Sequence, residues 1–186
     1  DDFIICVQHK DEANKILKKL RQRLKEYNLE LAEDKTKIIE FGRYAKVNAN
    51  RKGERAKTFN FLGFTHYHDK TRQGKFKVGR KTERKKFREK KKEINNWLKS
   101  IRNATKEKNW WNILGAKLRG HFGYYGISGN YREIQKYYYQ TIQLVFKWIN
   151  RRSQKQSFNW EQFVKYLKDY PLPKPKIYHK YSLYGY

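Results

Sequence analysis

Two adjacent carboxylates, Asp1 and Asp2, stand directly ahead of an apolar, β-prone stretch, Phe3-Ile4-Ile5-Cys6-Val7. Carboxylate oxygens are hard ligands, so a pair at the start of a strand suits a divalent cation. In phosphoryl-transfer sites, carboxylates on neighbouring strands hold two such ions about 4 Å apart, where they stabilise the attacking and leaving oxygens. Taken alone, the pair fits a solvated turn first. A second pair, His66-x-His68, falls on a predicted strand, so both rings share one face. No cysteine lies close to it in sequence, and a structural ion is not expected there.

The balance of charge is the next constraint. There are 45 Lys and Arg against 18 Asp and Glu among 186 residues, a formal net charge of +27. Such an excess repels itself unless a polyanion neutralises it, and nucleic acid is the first candidate because Lys and Arg release the counterions condensed on phosphates. An anionic membrane is the rival. No apolar run approaches the roughly 20 residues that a membrane span requires, and no signal-peptide pattern opens the chain. Aromatic residues make up 17% of the chain, which excludes a disordered basic tail and implies packed cores. The single cysteine, Cys6, excludes internal disulfides and cysteine-rich zinc sites. There is no Met, and the first residues already read as a strand, so the sequence is expected to be a piece of a longer protein that starts inside a motif.

The elements that would position these residues form two compositional blocks. Residues 1–79 read as mixed α/β. Phe3 to Val7 is predicted as a strand, followed by a helix with Ala13, Ile16, Leu17, Leu20, Leu24 and Tyr27 on one face and Asp11 as its cap. Thr36 to Phe41 reads as a strand and Arg43 to Lys57 as a loop. Phe59 to Tyr67 and Lys75 to Val78 read as two strands of a hairpin around Asp69 to Gly74. Residues 80–170 read as a basic bundle of three or four helices. Between Lys70 and Lys108, 17 Lys and Arg face four acids, while Phe87, Ile94, Trp97, Leu98 and Ile101 keep a helical stripe. Trp111, Leu114, Leu118, Phe122 and Tyr125 give a second stripe, and Ile134, Tyr138, Ile142, Val145 and Ile149 a third. A short helix from Trp160 to Leu167 is capped by Asn159, and Gly126 to Gly129 and Ser153 to Ser157 are connections. Residues 171–186 form an extended tail rich in Pro and Tyr, where the Pro spacing forbids a helix.

Four blocks in this order carry a family resemblance. Asp1-Asp2-Phe3-Ile4-Ile5 resembles the end of the Tyr-Ala-Asp-Asp motif of reverse transcriptases. The segment from Asn28 through Lys35-Thr36-Lys37-Ile38 is similar to the family's next block. Phe59-Asn60-Phe61-Leu62-Gly63-Phe64 resembles the hairpin that ends the palm. Leu118-Arg119-Gly120-His121-Phe122-Gly123-Tyr124-Tyr125 and Phe158-Asn159-Trp160 resemble the thumb and maturase region of bacterial group II intron reverse transcriptases.

The resemblance implies an α+β chain: a partial palm (βαβ plus hairpin), then an all-α basic thumb and maturase bundle. It implies an RNA-directed DNA polymerase using Mg2+, deoxynucleotides and a primed template, with intron RNA, template–primer duplex and DNA as partners, no membrane, and a bacterial cytoplasmic setting. Asp1 and Asp2 would be catalytic metal ligands, with a further carboxylate on an upstream strand. Lys35 would protonate the leaving pyrophosphate or touch nucleotide phosphates, and is equally well a solvated loop lysine. Phe61, Leu62 and Gly63 would form the primer grip, although most of the aromatic cluster around them reads as core. Arg80, Lys81, Arg84, Lys85, Lys86, Arg88, Lys90, Lys91 and Lys92 would grip nucleic-acid backbone without reading sequence. Arg119, His121, Lys147, Arg151 and Arg152 lie among aromatics, a mixture suited to structured RNA. Tyr124, Tyr125, Tyr137 and Tyr139 are candidates for base stacking or for core with a hydroxyl at the rim. The 186 residues alone are expected to bind RNA without polymerising. A non-catalytic RNA-binding splicing factor, and reverse transcriptases of the retron or diversity-generating type, remain alternatives.

Overall fold

A computed structural model describes residues 2–102, 107–151 and 158–180, with the side chains of 107–109 left out. The chain is α+β. In order come α1 (Lys10–Glu26), α2 (Ala45–Arg51), β1 (Phe59–Phe61), β2 (Phe64–Lys70), β3 (Phe76–Thr82), α3 (Arg84–Ile101), α4 (Glu107–Tyr125), α5 (Tyr131–Ile149) and α6 (Trp160–Asp169). The three strands form one antiparallel sheet in the order β1-β2-β3. The chain divides into two compact units, residues 1–62 with 66–78, and residues 63–65 with 79–186.

In the first unit, α1 starts two residues earlier than expected, with His9 and not Asp11 at the cap position and no side-chain cap bond, and Asp11 and Glu12 complement the positive end of the helix dipole. Its apolar stripe is half-buried at most, and no α1 residue is fully buried. Phe3–Val7 and Thr36–Phe41 form no strands, which corrects the βαβ reading. A strand exists only when a neighbour takes up its N–H and C=O groups, and the described residues offer these segments none. Phe3, Ile4 and Ile5 are accordingly exposed. The expected loop at 43–57 contains the short helix α2, anchored by buried Ala45. The expected long strand from Phe59 to Tyr67 folds back on itself, because Leu62 and Gly63 both take positive φ, 47° and 74°. Two such residues between strands are the signature of a type I′ hairpin turn. An aromatic cluster fills this unit: Phe41 lies 5.0 Å from Phe59 and 4.2 Å from His68, and His66 stacks on Phe59 at 4.8 Å. The two histidines therefore share a face as expected and are used in packing.

The second unit holds the deep core. Leu114, Leu118 and Phe122 of α4, Ile134 and Val145 of α5 and Phe163 of α6 have no accessible surface. Helix α5 packs against both α3 and α4. Helix α3 contributes Phe87, Ile94 and Leu98, spaced by seven and four residues, so one stripe faces inward. Helix α6 begins with a reciprocal cap: the Gln162 N–H donates to Asn159 Oδ1 at 2.8 Å, and the Asn159 N–H donates to Gln162 Oε1 at 2.9 Å. Asn130, 1% exposed, ties the end of β3 to the end of α4. It accepts from the Thr82 N–H at 2.8 Å, and donates to Thr82 Oγ1 at 2.9 Å and to the Tyr125 carbonyl at 2.8 Å.

After α6 the chain runs back along α4 as a strap. Trp111 Nε1–H donates to the Tyr170 carbonyl, Pro173 lies on Gly115, and Leu172 joins the buried core. The N–H groups of Tyr178 and His179 both donate to the Gly126 carbonyl, at 2.8 and 3.1 Å, and Ile127 pairs with His179 in a parallel bridge. A Cβ on Gly126 would overlap the Phe122 carbonyl of α4 and lie 2.6 Å from the Lys176 carbonyl of the strap, so a side chain here would meet both backbones.

Candidate nucleic-acid interface

Helix α3 carries the densest cationic surface. With Phe87, Ile94 and Leu98 committed to the core, Arg84, Lys85, Arg88, Lys91 and Lys92 are left exposed. Lys86 and Lys90 are partly neutralised by Glu89 and Glu93 one turn on, at 3.2 and 2.9 Å. Arg84, Arg88 and Lys92 succeed one another at four-residue steps, an arrangement that costs a few tenths of a kcal/mol per like-charged pair in an isolated helix. Lys81, at the end of β3, is also exposed, and Arg80 is half-buried beside it.

A second cluster gathers round one indole. Arg102, Lys147 and Arg151 approach the Trp148 ring at 5.1, 5.0 and 5.7 Å. Trp148 is held by donating to Asn95 Oδ1 at 3.0 Å. Such cation–π contacts orient the charges. The part played by Arg102 was not legible in the sequence. Arg119 is exposed on α4, with its guanidinium against Gly115. Arg152 lies outside the described residues, as do Ser153 to Ser157.

His121 does not belong to this surface. It is 8% exposed and stacks on Tyr137 at 3.6 Å, with Tyr125 at 4.7 Å. Its Nε2 is buried, with no hydrogen-bond partner among the described residues. Burial, helped by the charge of Lys90, pushes its pKa down to about 3, so the ring is neutral at physiological pH. Tyr125 and Tyr137 are buried too, which removes them as base-stacking residues, and burial raises both hydroxyl pKa values. Tyr124 and Tyr139 stay exposed, and Tyr124 lies nearly parallel to Phe64 at 5.8 Å.

The three residues expected to grip a primer, Phe61, Leu62 and Gly63, occupy the tight β1–β2 turn. Leu62 is 57% exposed in a left-handed conformation that leucine rarely adopts. The Gly63 carbonyl accepts from the Glu83 N–H at 2.9 Å, and a Cβ on Gly63 would lie 3.1 Å from Tyr125 Oη. Lys35 is exposed in a turn closed by the Lys35 and Thr36 N–H groups on the Ala32 carbonyl. Asp2 is exposed, and Asp1 lies outside the described residues. Among the described residues no three His, Cys, Asp or Glu side chains gather to hold a metal ion.

Residues 1–66 match the family model described as reverse transcriptase (RNA-dependent DNA polymerase). This stretch is similar to reverse transcriptases. The reverse transcriptase match takes in α1, the Lys35-Thr36 turn, α2 and the Leu62-Gly63 hairpin, and ends within β2. No curated protein matches the chain, and no solved structure does. Among the described residues no helix is long and apolar enough to cross a membrane.

The strap was the largest feature missed. Its signal lay in two patterns: Gly115 and Gly123 in α4 with Gly126 just after it, and apolar residues interleaved with Lys174 and Lys176 after Pro171.

Proposed function

We propose that this chain is the nucleic-acid-gripping part of an RNA-directed DNA polymerase of the group II intron type, with the end of a palm, a thumb and a maturase region. The reverse transcriptase match over residues 1–66 carries this reading. The exposed cations of α3 support it, since Arg84, Lys85, Arg88, Lys91 and Lys92 along one helix suit a phosphate backbone. In this reading the Leu62-Gly63 turn touches the primer end, α3 follows the template–primer duplex, and the cations around Trp148 meet folded intron RNA. Asp1, Asp2 and Lys35 belong to the polymerase site, whose remaining carboxylate the resemblance assigns to a strand outside these 186 residues. The chain alone then binds without extending a primer.

A salt titration of binding to an RNA–DNA duplex tests the gripping role. The logarithm of affinity is expected to fall linearly with log salt, by about 0.9 per phosphate neutralised. Lys91→Gln/Lys92→Gln should lower that slope by about 1–2, and a slope near zero in the parent chain would overturn the reading. Folded intron RNA should bind at least tenfold tighter than an unrelated RNA of equal length; equal binding removes the maturase assignment. Nucleotide incorporation by the chain alone would refute the expectation of inactivity.

A further inference from the structure

We propose that the strap over α4, residues 171–180, is a separate binding face for single-stranded nucleic acid. The inference rests on the polyanion-binding reading above and adds a second site to it.

The strap's side chains divide cleanly. Leu172 is buried and Ile177 packs against the core, while Pro173 lies on Gly115. Lys174, Lys176, Tyr178 and Lys180 are exposed, at every second position. In extended chain, alternate residues point the same way and stand about 6–7 Å apart. The result is a row of three cations and one ring, with no acid between Pro171 and Lys180. Arg119 reaches the α4 side of the same strap, beside Pro173 at Gly115. Lys176 Nζ stands 5.8 Å from the centre of the Tyr178 ring, and that ring is 49% exposed.

The backbone under this row is already ordered. The Gly126 carbonyl takes two strap N–H groups, the Ser128 N–H donates to the His179 carbonyl at 3.0 Å, and His179 Nε2 meets the Gly123 carbonyl at 2.9 Å. A ligand therefore spends little entropy in ordering the strap. A linear, evenly spaced row fits a strand that can lie extended along it and turn a base onto Tyr178. Single strands are bound in this way, by cations tracking the backbone and aromatic rings taking the bases.

The test uses the full chain and fluorescence anisotropy with three probes: an unstructured RNA of about a dozen nucleotides, DNA of the same sequence, and an RNA–DNA duplex. Lys174→Gln/Lys176→Gln/Lys180→Gln should weaken both single strands at least tenfold and reduce their salt slope by about 2, with duplex binding changed less than twofold. Tyr178→Leu, which keeps bulk but not a flat ring, should weaken single strands on the order of tenfold with the slope unchanged. The α3 variant Lys91→Gln/Lys92→Gln should show the reverse preference. Circular dichroism and melting of each variant establish that it is folded. Single-strand affinity unchanged by the triple variant, or duplex and single strand weakened alike, overturns the proposal. Should the parent chain bind duplex but not single strands, the strap site falls and the gripping role stands. Should it bind none of the three, both fall.

Discussion

The two units of the chain are built on opposite terms. In the unit of residues 1–62 and 66–78, α1 buries no residue, and Phe3, Ile4, Ile5, Leu29 and Ile38 face solvent. In the unit of residues 63–65 and 79–186, core side chains from α4, α5 and α6 have no exposed surface. The family match lies almost entirely in the first unit, where the core is poorest. Resemblance in sequence and independent stability are therefore different properties: a segment can keep a family's pattern while the contacts that pattern serves lie outside it.

The contrast can be broken most severely in the core. Leu118→Ala should cost about 3–5 kcal/mol in urea unfolding, because a fully enclosed site cannot collapse around the lost atoms. Leu20→Ala, on half-buried α1, should cost less than about 1 kcal/mol, well below that enclosed-core range. Equal costs would remove the distinction. Asn130→Ala should cost about 1–3 kcal/mol, since it strands the buried Thr82 N–H, while the Tyr125 carbonyl keeps the Ile127 N–H. Gly126→Ala should cost on the order of 2 kcal/mol, because its Cβ meets the Phe122 carbonyl of α4 as well as the Lys176 carbonyl of the strap, and hydrogen exchange should quicken at the Tyr178 and His179 amides and not in α5.

The last effect is a slope with pH and not a fixed loss. His121 has an ordinary pKa of 6.5 when unfolded and about 3 when folded. Between these values the unfolded chain holds the extra proton, so stability falls as pH drops from about 6.5 towards 3, by up to about 1.4 kcal/mol per pH unit. His121→Phe, which keeps a ring against Tyr137, should flatten that part of the profile measured by thermal unfolding. An unchanged profile would show that other groups set it.

Much of the second unit was legible before any coordinates. The stripe Trp111, Leu114, Leu118, Phe122, Tyr125 became the buried face of α4, and Asn159 capped α6 as read. Periodicity suffices there because a helix satisfies its own backbone and needs a neighbour only for one face. Phe3–Val7 and Thr36–Phe41 have strand composition as plain as that of β2, yet form none, because a strand's hydrogen bonds belong to another segment. The reversal at Leu62-Gly63 hid inside what read as one strand, because leucine signals no turn and gives no warning of a left-handed conformation.

Charge, helix faces and the cap of α6 were determined by the sequence itself, since each depends on residues within a turn or two of one another. Which cations stay exposed, which tyrosines are buried, and that His121 is a neutral core ring were decided by tertiary structure. So was the path of residues 171–180, whose Tyr178 and His179 N–H groups meet the Gly126 carbonyl and whose His179 carbonyl takes the Ser128 N–H, about fifty residues away. Burial and long-range pairing depend on what lies across the fold, and no local pattern encodes that.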